Sequence, residues 1–539
     1  MASEDRVVAH AIDRRAFIGL TTGVLASAAV RVQAARPDQS DSRTRSAEAF
    51  RVRLDAARFE QQFPLAAHPA NGDEPRYGNR IASFTKGLVH DARGEVDPGA
   101  YDSLLLALAS GDAADFDRIQ LGGVERLVNP QAAFAFDLQG PDSHALGMAP
   151  PPAFSSAEQA AEIAENYWMA LCRDIPFAEY GTHVIAEQAA SDLTRLPAFR
   201  GPRSSAGVVT AGTLFRGLTV GDATGPYVSQ FLLQPAPLGA EEVDRRIRTG
   251  FPGVDFATSY PDWHALQNGW TPAQALAMDP QPRYVRNGRD LANWVRQDVL
   301  WQAYFDALLV LLALQLPFDA ANPYGGSRTQ RGFATFGDPH VATALCAVAT
   351  RALKAVWFQK WLVHRRIRPE AFAGRIHVHA AGTAAYPIHS DILTSPVLDA
   401  IASRTGSYLL PLAFPEGAPL HPSYGAGHAT VAGACVTVLK AFFDESAIVP
   451  DSVEATADGL SLQPYSGPPL TVGGELNKLA SNIALGRNIA GLHWRSDATE
   501  SLRLGEEVAL RYLAEERLCV SEPFAGFRVT RFDGTSVTV

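Results

Sequence analysis

Apolar residues recur at three- and four-residue intervals through most of the second half of the chain, the spacing that turns one face of a helix toward a core. This pattern predicts helices over residues 290–316, 339–367, 427–443, 474–490 and 497–514. The second should end at Arg368-Pro369, because proline lacks an N–H and disfavours helical geometry in the residue before it. Short helices joined by short loops predict packed bundles. The first half is less regular. One clear helical patch covers 158–173, between long loops bearing Gly and Pro. The stretch 206–237 mixes Val, Thr, Phe and Leu and has room for short strands, although Gly and Pro interrupt it repeatedly. The tail, 527–539, alternates Val and Thr around Asp533-Gly534, a hairpin pattern. No fixed-period repeat is present.

These patterns divide the chain into an N-terminal segment 1–35, a linker 36–75 rich in Arg, Asp, Ser, Pro and Ala, a looped helical region 76–285, a helical bundle 286–526 and a tail 527–539. A length of 539 residues calls for two cooperating helical units or one large domain. With 47% hydrophobic and 19% charged residues, the composition is that of a globular chain. A formal net charge of -10 argues against bulk attraction to nucleic acid or anionic membranes. Any anion must therefore be held by a local cationic pocket working against the overall field.

The N-terminal segment reads as a targeting signal. Arg14-Arg15-Ala16-Phe17-Ile18 is followed by a mildly apolar run, Gly19 to Val30, and the small-residue site Val32-Gln33-Ala34. This is a twin-arginine pattern, and it predicts a periplasmic or secreted protein. The run is too short and too rich in Thr, Gly and Ser for a membrane span, and no later stretch reaches about 18 uninterrupted apolar residues, so no transmembrane helix is expected. Cys172, Cys346, Cys435 and Cys519 are scattered without a CxxC pair, which favours buried free thiols over zinc or dithiol chemistry.

Three segments carry the chemistry. In the first, Lys360 to Pro369, the helix end lets Arg368 turn back beside Lys360, placing a point charge and a planar fork on one oxyanion. Taken alone, the same cations would also suit the negative end of a helix dipole. His364, four residues after Lys360, reads as a packing or hydrogen-bonding residue.

The second segment, His421-Pro-Ser-Tyr-Gly-Ala-Gly427-His428, sets small residues immediately before a helix start, where outward N–H groups bind anions. His428 stands where it could exchange a proton with a bound anion. The third runs from Arg487 through Gly491 and His493 to Asp497. Gly491 should break the helix, so Arg487 and His493 need not share one face. His493 can offer one ring nitrogen to a metal centre while a partner fixes the other. Asp497 is either that partner or the residue that opens the next helix, with Glu500 at capping-box spacing.

In this order the three segments resemble the tripartite motif of vanadium haloperoxidases and the type 2 phosphatidic acid phosphatase superfamily. Leu409-Leu-Pro-Leu-Ala-Phe-Pro-Glu-Gly, Gly474-Glu-Leu-Asn-Lys-Leu-Ala-Ser-Asn, Gly225-Pro-Tyr-Val-Ser-Gln-Phe and Arg76-Tyr-Gly-Asn are similar to the algal bromoperoxidase branch, so the likeness spans about residues 72 to 515. The resemblance implies an all-α fold of helical bundles with minor β hairpins, assembled as a dimer or larger homo-oligomer. It implies a vanadate cofactor with Lys360, Arg368 and Arg487 on the equatorial oxygens and the Gly427 backbone as a further donor. His493 would be the axial metal ligand, His428 the acid–base residue, and His421 a tuner of the pocket. The implied reaction is oxidation of bromide or iodide by hydrogen peroxide to a hypohalous species that halogenates small organic acceptors.

One position departs from the family. Where it usually has Ser before the Gly-His pair, this chain has Ala426, with Gly425 in place of the common Pro. A lost hydrogen bond to a charged oxygen costs about 1.5–3 kcal/mol, or roughly tenfold to a hundredfold in affinity. The same pocket would also suit an acid phosphatase, with His493 as nucleophile, or a non-catalytic oxyanion-binding relic. The long upstream region and the lack of spans argue against the phosphatase.

Overall fold

The computed structural model describes residues 41–539, so the twin-arginine segment lies outside the described residues. The helices that build and support the site are α1 (Ser42–Glu60), α2 (Ala157–Cys172), α3 (Gly288–Gln297), α4 (Gln302–Ala313), α5 (Asp338–Phe358), α6 (Pro369–Ala380), α7 (Gly427–Phe442), α8 (Val472–Ile489) and α9 (Arg495–Cys519). Strands are confined to three two-stranded antiparallel hairpins: β1 (Ala236–Leu238) with β2 (Glu241–Val243), β3 (Val453–Ala455) with β4 (Leu462–Pro464), and β5 (Arg528–Thr530) with β6 (Ser536–Thr538). The fold is all-α with minor hairpins, as expected. The tail hairpin turns at Gly534 (φ 85°), whereas the stretch 206–237 contributes strand only at its last two residues.

α7 is the centre of the bundle. It packs on α5, α8 and α9, and every residue of it except His428 is buried. Its crossing with α9 depends on two glycines. A Cβ at Gly433 would collide with the Leu502 backbone, and one at Gly505 with the carbonyl of Thr430. Side chains there would push the two helices apart. α5 turns Val341, Leu345, Val348, Ala352 and Val356 inward on a helical stripe. By length and a mean hydropathy of 1.4, the run Asp338–His364 could cross a membrane. Here it is a core helix packed on α7, with Arg351 and Lys354 tied to Gln139 and Asp137.

The first half shares this core. α2 is capped by Ser156 through the N–H of Gln159 and is buried along nearly its whole length. It carries Glu162, Glu165 and Asn166 into the back of the bundle.

Three predicted elements differ. The segment read as a linker contains α1, nucleated by Asp41, which accepts from Thr44 N–H, and supported by the pairs Arg51–Glu48 and Arg51–Asp55. The single helix predicted over 290–316 is two, α3 and α4, broken at an extended Asp298 (φ -63°, ψ 144°) with no glycine or proline to mark it. The Lys360 helix ends early, in a π-helical turn Gln359–His364 closed by left-handed Arg365. All four cysteines are free, and Cys172 and Cys435 are buried.

Candidate active site

Five chain segments meet at one buried point. The π-turn brings Lys360, whose Nζ donates to the carbonyls of Pro422 (2.7 Å) and Ser423 (3.1 Å). Arg368 is extended (φ -83°, ψ 154°) because Pro369 opens α6 directly after it. Its guanidinium donates to the carbonyls of His421 (3.0 Å) and Leu492 (2.9 Å), and more weakly to Pro422 (3.3 Å). Lys360 and Arg368 therefore converge on the same carbonyl, as the helix-end argument required. Arg487, in the last turn of α8, donates to Val295 O (2.9 Å), and its Nε is buried without a partner.

His493 follows the turn made by Gly491 (φ 88°), which ends α8. Its Nδ1–H donates to Asp497 (2.8 Å), and its Nε2 accepts from Arg368 (2.9 Å). That pairing fixes the tautomer, leaving the Nε2 lone pair pointed into the cationic cluster. Asp497 is the ring partner considered for it and does not open the helix; as the third residue of α9, the same carboxylate oxygen also accepts from Trp494 N–H (3.2 Å). The helix opens at Arg495 with Trp494 as its cap. Glu500 pairs with Arg503 rather than capping the start.

Gly427 is the first residue of α7, where N–H groups have no acceptor within the helix. His428 Nε2–H donates to Asp298 (3.0 Å). His421 accepts from Arg368 at Nδ1 (2.9 Å) and lies against the Trp357 ring at 4.9 Å. His364 packs edge-on against Tyr424 (4.8 Å), the packing role read for it.

The electrostatics of this point are unusual. Burial, and then the neighbouring Arg368, pull Lys360 well below its ordinary range despite Asp497. Burial brings Arg368 down to about 9 and Arg487 to about 10. Burial, with Arg368 and Lys360 close by, also holds His493 well below its ordinary value; His421 is depressed by burial and Lys360. Three buried cations thus rest mainly on neutral backbone acceptors. A multiply charged oxyanion would supply the missing counter-charge, and the unpartnered Arg487 Nε is a donor left over for it. The donor set fits vanadate, and the His493 Nε2 lone pair faces the same point.

Comparison with known proteins shows the family and the fold. A family profile described as the VCPO second helical-bundle domain matches residues 341–520. The vanadium-dependent bromoperoxidase of Corallina officinalis is 37% identical, across 92% of this chain and 98% of its own length. That of Ascophyllum nodosum is also 37% identical, across 90% and 91%. The chain belongs to the vanadium-dependent bromoperoxidase family. Among solved structures, the homohexameric second vanadate-dependent bromoperoxidase of Ascophyllum nodosum superposes with a TM-score of 0.88 at 31% identity, covering 94% of this chain and 93% of that one.

Within this bromoperoxidase fold, Ala426 is the N-cap of α7 and makes no side-chain cap. Its own N–H donates to Ser501 Oγ (2.7 Å), so the nearest hydroxyl is already engaged with the backbone. Sequence reasoning missed three participants. Asp298 lies 130 residues from His428, and no local signal marks it. Trp357 precedes Lys360 by three, a helical spacing that could have placed it at the pocket. Ser423 donates to Asp497 and stood inside the His421 to His428 segment without a role.

Proposed function

We propose that this chain oxidises bromide or iodide with hydrogen peroxide, using vanadate held by Lys360, Arg368, Arg487, the Gly427 backbone and His493. The hypohalous product would halogenate small organic acceptors. The observation that carries the proposal is the set of three buried cations, held mainly by neutral acceptors, around the locked Nε2 of His493.

When bound, vanadate supplies a Lewis-acidic centre that polarises peroxide without a change of oxidation state. The chain's own residues do the rest. Lys360, Arg368 and Arg487 are fixed by backbone carbonyls before any ligand arrives, so stabilising developing negative charge costs little reorganisation. Asp497 holds His493 with Nε2 unprotonated. Halide oxidation by peroxide breaks the O–O bond, takes two electrons from bromide and consumes a proton, leaving water and hypobromous acid. His428 suits the delivery of that proton. Asp298 anchors its Nε2 and leaves Nδ1 for exchange, and the side chain keeps 18% exposure.

Bromination of monochlorodimedone, with and without added vanadate and with bromide against chloride, tests this reading. Vanadate-dependent bromination is the expected result. Phosphomonoester hydrolysis with no bromination would move the chain to the phosphatase alternative. Turnover that His428→Ala leaves untouched would remove the assigned proton role.

The Arg14-Arg15 pattern supports export to the periplasm or beyond, so Lys at both positions should trap precursor in the cytoplasm. The solved relative's hexameric state supports a homo-oligomer here.

A further inference from the structure

The end of α3 forms one wall of the site. Arg487 donates to the carbonyl of Val295 (2.9 Å), and His428 donates to Asp298 (3.0 Å). Arg296 stands between those two residues. Its guanidinium holds the Glu416 carboxylate by two parallel bonds, Nε to Oε1 (2.7 Å) and Nη2 to Oε2 (3.1 Å), and lies over the Phe414 ring at 5.3 Å. The Arg296 side chain is 25% exposed and that of Glu416 45%, whereas Asp298 and Arg487 are buried. Glu416 precedes His421 by five residues, and its own carbonyl accepts from Lys86 Nζ (2.9 Å), which is buried against Glu370 (2.7 Å). The pair therefore bridges α3 and the His421 loop where the buried site meets solvent. Both of its charges reach Arg487. Burial brings that guanidinium down to about 10; Asp298 and then Glu416 act to hold its proton, and Arg296 acts to release it.

We propose that the Arg296–Glu416 pair sets the halide affinity of the site, Glu416 being a specificity-determining carboxylate whose repulsion of anions Arg296 cancels. The inference rests on the haloperoxidase reading and deepens it. An ion pair this open contributes little to folding stability, so its effect lies in the field it sets. Bromide is an anion entering a chain of net charge -10, whereas hydrogen peroxide is uncharged. Paired, the two side chains present no net charge to the entering halide. With Arg296 neutralised, a bare carboxylate stands near Arg487 and repels bromide. With Glu416 neutralised, a bare guanidinium adds its charge to Lys360, Arg368 and Arg487 and draws bromide in. A pair that only ties the loop to α3 gives a different pattern. Losing either half then breaks the same bridge, so both variants shift in one direction, and for peroxide as much as for bromide.

Steady-state bromination by the full chain, at saturating vanadate and constant ionic strength, separates the two. A unit charge about 8 Å from a bound anion changes its affinity roughly threefold to tenfold at an effective dielectric constant of about 30–60. Arg296→Gln should raise the KM for bromide by that factor and Glu416→Gln should lower it, with kcat and the KM for peroxide unchanged. The double variant should return close to wild type, and raised salt should shrink both single-variant shifts. Unchanged thermal melting would confirm that each variant is folded. Bromide KM values that move in the same direction, or that stay at the wild-type value in both single variants, would overturn the proposal and spare the haloperoxidase reading. A peroxide KM that shifts along with the bromide KM would overturn it as well, assigning the pair to loop positioning. A wild type that never brominates would remove the haloperoxidase reading and this inference with it.

Discussion

Arg366 and Arg368 are two residues apart and both buried, yet they answer burial in opposite ways. Arg366 donates to Glu162 (2.8 Å) and Asp497 (2.8 Å) and lies over the Trp494 ring at 4.9 Å. Burial alone would lower it, but the two carboxylates outweigh burial and hold it above its ordinary value. Behind it, Arg495 is raised in the same way by Glu165. Arg368 bonds to backbone carbonyls and two imidazoles, and burial takes it down to about 9. One cluster carries its own carboxylates and holds α2 to the start of α9. The other is a positive hole. A buried cation with its own carboxylate is part of the frame; one with only neutral acceptors is part of a site for an anion that arrives later.

That contrast can be broken at either cluster. His493→Ala should have the largest effect, abolishing bromination and weakening vanadate retention at least about 100-fold by equilibrium dialysis. Melting of the ligand-free protein should change much less. Arg366→Ala should do the reverse. Removing one partner of a buried pair strands Glu162 and Asp497 and costs about 3–5 kcal/mol, read as a fall in denaturation midpoint. If Arg366→Ala were to leave stability intact and remove only vanadate, the division into frame and site would be wrong.

Asp298→Asn separates proton supply from anion binding. Burial already lowers His428, and Asp298 opposes that shift. Without the carboxylate, His428 falls further. A proton donor is lost as pH rises through its pKa, so the alkaline limb of the pH–rate profile should move to lower pH while vanadate affinity changes little. The smallest effect is a gain. Ala426→Ser restores an N-cap hydroxyl, worth about 1 kcal/mol to α7. It should also tighten vanadate by up to roughly tenfold, if the hydroxyl reaches the oxyanion rather than staying on the backbone.

Much of this was legible in one dimension. Lys360, Arg368, Gly427, His428, Arg487 and His493 meet as the motif order implied. The locally encoded break at Gly491 also stands where expected, because Gly acts through its own backbone geometry, whereas the Lys360 helix stops short of Pro369, which opens α6 instead. The α1 helix was missed because its polar, Arg-rich composition resembles a linker; its Asp41 cap and its Arg–Glu and Arg–Asp spacings were the available signals. The break at Asp298 left no such signal. It is held by a contact with His428 that local propensity does not describe.

The sequence by itself determined the residue types, the helical faces and the stops that put cations and histidines at helix ends. Only the tertiary structure decided which buried arginine received a carboxylate. Arg366 meets Glu162 because α2, two hundred residues earlier, meets the start of α9, and Arg368 meets only neutral carbonyls and imidazoles because the His421 loop folds over it. Charge is written in the sequence, whereas compensation depends on distance and burial, and those exist only once the chain has folded.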